Sequence, residues 1–467
     1  MTSTKSKTIP RYYAHLDFEK LWADYVPAPE YFDTTYLLSR DAIRAMQEAR
    51  FLTQMKRAWE IPFYQRHWGT AGMQPGDIRG LDDLRRIPSF SVHDLREAIA
   101  RRPPWGDFIG LDPDTDSPMP LALQTSGGTT GLPRPMIYSP QDREVMNIIT
   151  GRRLHMQGIR PFDIVQVTLS LGLSNGGFLA REGIWKYTGA VPVMTGSGAQ
   201  TPTRRQIEIM RAWGTSHLVG FPAYLRHIGH VLRDEIKVDP RSIGIKSLIV
   251  HLGVDDRQAL EDLWGARCYD TYGTNECGTL AAECEHQNGM HVFEDAFVLE
   301  IVDLENGNEL SEGERGTIYQ TTLFKHLAPL IRFNSNDVSA WAAGTCACGC
   351  CHKRIERIYG RSDNMIKLRG TNVFPEAIGA IVAEQPESNG EYFCIADDEG
   401  GKDRMTVYVE TASKDERDVE RRLVVRLKEA LGVTLAVQAV AAGELSKWTG
   451  LNQNSKVQRL RDDRNKS

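Results

Sequence analysis

The segment Gln124-Thr-Ser-Gly-Gly-Thr-Thr-Gly-Leu-Pro-Arg-Pro packs three glycines and four hydroxyl residues directly behind an apolar run. Backbone N–H groups and hydroxyls in such a stretch can wrap closely around phosphate oxygens, although a flexible surface turn has the same composition. It is not a Walker loop, because the Gly-Lys-Ser/Thr ending is absent. A second stretch, Asp270-Thr-Tyr-Gly-Thr-Asn-Glu, follows a strand-like run; its Tyr272 beside Gly273 offers a ring face to a nucleobase, and Glu276 a carboxylate to a magnesium ion bridging phosphates. A third, Pro329-Leu-Ile-Arg-Phe-Asn-Ser-Asn-Asp, reads as a strand carrying Arg332 toward Asp337, an acid suited to grip ribose hydroxyls. In the fourth, Gly360-Arg-Ser-Asp-Asn-Met-Ile-Lys-Leu-Arg-Gly, two glycines bracket a short strand and Arg361 can reach a phosphate.

The cysteines form a separate signal. Of eight, Cys346, Cys348, Cys350 and Cys351 crowd into six residues, with Cys284 upstream. In a chain with no sign of secretion, such clustering points to thiol ligands of a metal before it points to disulfides.

The elements that must position these residues follow from periodicity. The first 115 or so residues read as helices joined by Pro and Gly turns, with Ser39 placed to cap the helix that follows it. From about residue 120, apolar runs at 121–124, 164–169, 190–194, 217–220 and 247–250 alternate with amphipathic helices, the pattern of a parallel, doubly wound sheet. Between about 290 and 340 short strands and frequent turns predict an antiparallel β subdomain, extending to about 360. After Gly360 the chain restarts as a compact α+β module. The expected organisation is an α/β domain over 1–360 and a small α+β domain over 361–467, with no internal repeat.

Length and composition fit this. The chain has 467 residues, 41% hydrophobic and 25% charged, with a formal charge of -5. That is enough to bury large cores without staples, and it gives no electrostatic footprint for nucleic acid. The basic tail from Lys456 to Lys466 is interleaved with Asp462 and Asp463 and reads as a solvated helix face. No run of ~18 apolar residues could span a membrane and no apolar leader opens the chain, so the cytoplasm is the expected compartment.

In their order and separations, the four stretches resemble the signature motifs of the adenylate-forming superfamily, the acyl-CoA synthetases and adenylation domains. More narrowly, Arg-Phe-Asn-Ser-Asn-Asp followed by a Cys-rich turn, with Gly-Arg-Ser-Asp-Asn-Met and Gly-Thr-Asn-Val-Phe-Pro, resembles the phenylacetate-CoA ligase family over roughly residues 40 to 460. The resemblance implies a small C-terminal domain that is mobile, and an ATP-dependent acid:CoA ligase working through an acyl-adenylate, with ATP, Mg2+ and coenzyme A. Thr125, Ser126, Gly127, Thr129, Thr130 and Gly131 match the phosphate loop; Asp270, Tyr272, Gly273 and Glu276 fall in the adenine and magnesium motif; Asp337 matches the ribose-binding acid. Arg361 matches a nucleotide-contacting Arg, Asp363 the hinge, and Gly370 the path of the thiol. In Asn454-Ser-Lys-Val-Gln-Arg, Lys456 is the candidate for the adenylation lysine, with Lys447 its rival.

The family also implies a structural zinc on Cys284, His291, Cys346 and Cys348, with Cys350, Cys351, His286 and His352 as alternatives, and a homodimer is common in it. The acid, of aryl or arylacetic type, would lie among Phe178, Phe221 and Tyr224. Departures are an extra Gly128, Leu132 in place of Lys, Asn275 in place of Thr, and Val254 in place of an acid. Two other readings stay open: an adenylating enzyme with a carrier-protein or other acceptor, and a non-catalytic homologue that binds nucleotide or acyl-adenylate, which the departures at Leu132, Asn275 and Val254 allow.

Overall fold

A computed structural model describes residues 9–112, 116–125, 133–303, 305–368, 371–398, 403–450 and 457–464. Helices Arg40–Trp59, Pro62–Thr70 and Val92–Arg101 form most of an N-terminal layer, and the Ser39 hydroxyl accepts from Ala42 N–H as the cap expected of it. A hairpin of β1 (Ala122–Thr125) and β2 (Pro135–Tyr138) follows, with Thr125 opposite Pro135, so the two ends of the glycine-rich segment emerge side by side.

Strands β3 (Ile164–Val167), β4 (Val191–Met194), β5 (His217–Gly220) and β6 (Ser247–Val250) are parallel, and β7 (Arg267–Thr274) continues the sheet alongside β6. The chain then reverses. β8 (Gly278–Glu283) and β9 (Met290–Val292) extend the same sheet antiparallel. The motif that begins at Asp270 is therefore inside a strand rather than after one, because β7 runs on to pair with β8. A second sheet is built from antiparallel β10 (Phe297–Val302), β11 (Arg315–Thr322) and β12 (Phe333–Ala340). β13 (Arg354–Ile355) returns to β9, completing the order β13-β9-β8-β7-β6-β5-β3-β4, and β14 (Gly360–Arg361) closes the second sheet against β12.

The helix Pro140–Met156 lies at the centre and is buried almost throughout, bonded at its start by a Ser139–Asp142 capping box. Residues from Ile366 onward have a hydrophobic cluster of their own, which includes Ile378, Val382, Val407, Leu423 and Leu427. It covers a four-stranded sheet of β17 (Ser388–Asp398), β18 (Asp403–Thr411), β19 (Ala436–Ala441) and β20 (Leu460–Asp462), preceded by the small hairpin β15 (Ile366–Leu368) and β16 (Thr371–Val373). The described part of the tail thus carries a strand, β20, where a helix face was expected. Leu460 pairs in register with Cys394, and Arg459 forms a two-pronged ion pair with Glu391 at 2.9 and 3.0 Å, which anchors the segment along the open edge of that sheet. Among the described residues no helix is long and apolar enough to cross a membrane.

Candidate functional site

Residues 126–132 of the glycine-rich loop lie outside the described residues, so Ser126, Gly127, Thr129, Thr130 and Gly131 are not located, but both loop ends are. Thr125 is buried and its N–H donates to Leu173 O at 2.7 Å. On the other side Arg134, 6% exposed, directs its guanidinium onto the Glu276 carboxylate. Burial raises the Glu276 carboxyl, but the guanidinium and, behind it, Lys325 outweigh that and hold it below the usual carboxylate range. Lys325 is itself buried, donates to Glu276 O at 3.1 Å and faces the Tyr138 ring at 5.1 Å. Glu276 is therefore an ionised oxygen donor at the mouth of the loop, the donor type magnesium takes, with Arg134 as the partner a cation would share or displace. Sequence reading missed Arg134, although a cation two residues past a loop lacking its lysine was a signal.

The second group joins three of the stretches. Tyr272, 4% exposed, donates from its hydroxyl to Asp337 Oδ2 at 2.8 Å and accepts from Gln320 at 2.8 Å. Arg361, opposite Asp337 in the β12–β14 pair, donates to Asp337 Oδ1 at 3.1 Å and to Asp363 at 2.8 and 2.7 Å. Burial would lower the Arg361 pKa, but the two acids outweigh it and raise it further. Asn336 (φ 63°) turns the strand just before Asp337 and donates to Asp363 at 3.3 Å. Gly273 is required by the turn back into β8, since a Cβ there would stand 2.6 Å from Gly278 O. Arg332 does not reach Asp337. It pairs with Glu300 at 3.0 Å and donates to Arg85 O and Ile87 O, because its own positive φ (59°) turns it toward the N-terminal layer.

Asp270 is fully enclosed and accepts from Leu252 N–H and Thr271 N–H, both at 2.7 Å. Burial, and then Glu283, push its carboxyl up to about 7. It anchors the 252–254 loop rather than presenting itself to a ligand. Of the acid-pocket candidates, Phe178 and Phe221 are half-buried. Phe221 faces the His251 ring at 6.1 Å, at the ends of β5 and β6. Tyr224 is buried: its hydroxyl is engaged by Gln206 at 2.9 Å and Thr203 at 3.2 Å, and it packs with Ile207, Met210 and Leu225 in the core. Lys447 is exposed over the Trp448 ring, whereas Lys456 and Gly370 lie outside the described residues.

Cys284, His291, Cys346 and Cys348 converge, with all four ligand atoms within 4.8 Å of one another. Cys284 Sγ is 3.6 Å from Cys346 Sγ, and Cys348 Sγ is 3.4 Å from His291 Nε2. A tetrahedron on zinc–sulfur bonds of about 2.3 Å has edges of about 3.8 Å, so three thiols and an imidazole at these separations fit that ion. The Tyr36 hydroxyl donates to Cys348 Sγ at 3.1 Å, tying the N-terminal layer to the cluster. Both ring nitrogens of His352 are occupied by backbone carbonyls, and Cys351 is exposed.

Residues 370–464 match the family model of the AMP-binding enzyme C-terminal domain. The phenylacetate-coenzyme A ligase of Thermus thermophilus is 28% identical over 441 residues, covering 88% of this chain and 96% of the relative; that of Escherichia coli is 29% identical over 428 residues, covering 88% and 94%. Among solved structures, 2-hydroxyisobutyryl-CoA ligase in the postadenylation state with 2-HIB-AMP aligns with a TM-score of 0.80 at 27% identity, over 95% of this chain and 92% of its own. The same enzyme with 2-HIB-AMP and CoA in the thioesterification state gives 0.69 at 27% identity, over 94% of each chain.

Proposed function

The chain belongs to the adenylate-forming superfamily and resembles its phenylacetate-CoA ligases over 88% of its length, and from that premise we propose that it joins a carboxylic acid of aryl or arylacetic type to coenzyme A, driven by ATP, through an acyl-adenylate. The observation that carries the reading is the convergence of motifs far apart in sequence: Arg134 at the loop end meets Glu276, and Tyr272, Asp337 and Arg361 form one hydrogen-bonded group beside it.

The acid and the triphosphate are both anions, so the site must neutralise charge while it aligns them. Loop N–H groups and hydroxyls of Thr125, Ser126, Gly127, Thr129, Thr130 and Gly131 hold the phosphates. Tyr272 and Gly273 border the adenine, Asp337 accepts ribose hydroxyls, and Arg361, which donates to Asp337, reaches the nucleotide. Glu276 would hold magnesium, which when bound would supply neutralisation of the phosphate charge. Lys456 draws the attacking carboxylate and the α-phosphate together. The half-buried Phe178 and Phe221 line the acid, and Tyr224 backs them from the core.

Residues 361–467 then act as a module turning at Asp363, which withdraws Lys456 and lets the thiol pass Gly370. The better fit to the postadenylation form than to the thioesterification form of one relative supports a module that moves as a unit. The cluster of Cys284, His291, Cys346 and Cys348 would hold a structural zinc, since four protein ligands would leave no open position for chemistry. Acid-dependent exchange of labelled pyrophosphate into ATP tests the first half-reaction. Exchange with arylacetic acids is expected, and its absence with every carboxylic acid, from a chain that binds ATP, would set the proposal aside.

A further inference from the structure

Asn175 begins the helix Asn175–Tyr187 and is completely buried, yet the proposed chemistry leaves it without a role. Its backbone N–H donates to Asn275 Oδ1 at 3.3 Å. Its side-chain nitrogen donates to the Asn275 carbonyl at 3.2 Å and to the Tyr138 hydroxyl at 3.4 Å, and its Oδ1 accepts from Arg143 at 2.5 Å. The Tyr138 hydroxyl in turn donates to the same Asn275 carbonyl. Asn275 answers through its own side chain, whose Oδ1 also accepts from the Ser174 hydroxyl at 3.4 Å. Behind Asn175, Arg143 pairs with Glu182 at 3.1 Å, and Glu182 accepts from Asn147 at 2.7 Å.

The doubly held carbonyl belongs to the peptide unit whose nitrogen is that of Glu276. A peptide is planar, so two donors on its oxygen fix that plane and the place of the Glu276 Cα, and Lys325 on the Glu276 carbonyl at 3.1 Å holds the next plane, so that the two together set the direction in which the Glu276 Cα–Cβ bond leaves the chain. Capping the helix would need only the Asn175 N–H bond. It would not need the side-chain amide turned onto carbonyl 275, nor a tyrosine hydroxyl aimed at the same atom. Buried Asn175 is hydrogen-bonded through both its side-chain nitrogen and its side-chain oxygen, and such a paired polar contact is rigid, which suits a carboxylate that must be aimed.

We propose that Asn175 is a positioning residue for Glu276, acting with Tyr138 through the Asn275 carbonyl to aim the carboxylate at the cation that accompanies the nucleotide. This rests on the adenylation reading. It also gives Asn275 a use: the side chain that stands in place of threonine clasps Asn175 and orients the turn rather than meeting the nucleotide.

The test uses the full chain with ATP and Mn2+ as the probe, free Mn2+ being counted by electron paramagnetic resonance, so no acid need be known. Asn175→Asp keeps the shape and the acceptor for Arg143 but loses both side-chain donors. Tyr138→Phe removes the other donor to carbonyl 275 without opening a cavity. Each should weaken Mn2+ retention on the ATP complex by roughly 5- to 10-fold, the loss of one hydrogen bond, with AMP affinity unchanged. Retention within about two-fold of the parent in both variants, where melting temperatures show them folded, overturns the proposal. A parent chain that binds ATP but retains no Mn2+ overturns it as well and leaves nucleotide binding standing, whereas a parent that binds no ATP overturns the adenylation reading and this proposal together.

Discussion

Replacing Asp270 by Asn makes a quantitative test of how β7 holds the loop after β6. The carboxyl is enclosed, faces Glu283 and titrates near 7 instead of 3.8. Those roughly three pH units correspond to a ceiling of about 4 kcal/mol at 1.36 kcal/mol per unit. The sign follows from proton counting. Between about pH 4 and 7 the folded chain holds a proton here that the unfolded chain has released, so stability falls as pH rises through that window, and the full penalty is carried above 7. Asn is neutral at every pH and keeps an oxygen for the Leu252 and Thr271 N–H groups, now bonded at 2.7 Å. The variant should therefore be more stable than the parent above pH 7, by about 2 to 4 kcal/mol, and the two should converge toward pH 4. Thermal and denaturant unfolding across about pH 4.5 to 8.5 reads this directly. Two parallel stability curves, offset by a constant, would refute the reasoning, because the penalty would then not be that of an ionising carboxyl.

Three further outcomes are expected. Lys456→Ala should slow adenylation on the order of 100-fold while sparing thioesterification of a supplied adenylate, whereas Lys447→Ala should change neither; unchanged pyrophosphate exchange in Lys456→Ala would move the role to Lys447. Arg134→Ala removes the cation that holds the Glu276 carboxyl low, so the acid limb of the adenylation pH profile should move to higher pH; an unmoved limb would separate Arg134 from Glu276 function. Cys346→Ala, or prolonged chelation, should release one zinc per chain and lower the melting temperature while the surviving folded fraction still turns over; elemental analysis and calorimetry decide it, and unchanged stability in a chain free of metal would end the zinc assignment.

The parts of the fold that were legible in the sequence are those set by local rules. β5 and β6 occupy the residues their apolar runs predicted, and Ser39 caps where it should. The β subdomain appears as antiparallel β10, β11 and β12. What was not legible depends on contacts between distant segments. Arg134 finds Glu276 across 142 positions, and nothing local tells a loop cation from a buried one. Arg332 has the right neighbours in sequence for a site residue, but a positive φ turns it to Glu300. The mixed charges of the tail fit a helix face as well as a strand; only the open edge beside β17 decides for β20. The Asp270 carboxyl accepts from two backbone N–H groups and anchors a loop, and the Tyr224 hydroxyl is bonded to Gln206 in the core, contacts that sequence spacing does not reveal.

The most direct measurement of the central claim is AMP release from ATP and Mg2+ with aryl, arylacetic and aliphatic acids, each with and without coenzyme A, the products being identified by mass. The account predicts turnover that needs both an arylacetic or aryl acid and coenzyme A, yielding one thioester per AMP. Turnover indifferent to coenzyme A, with the acyl or adenylyl group left on another acceptor, would contradict it.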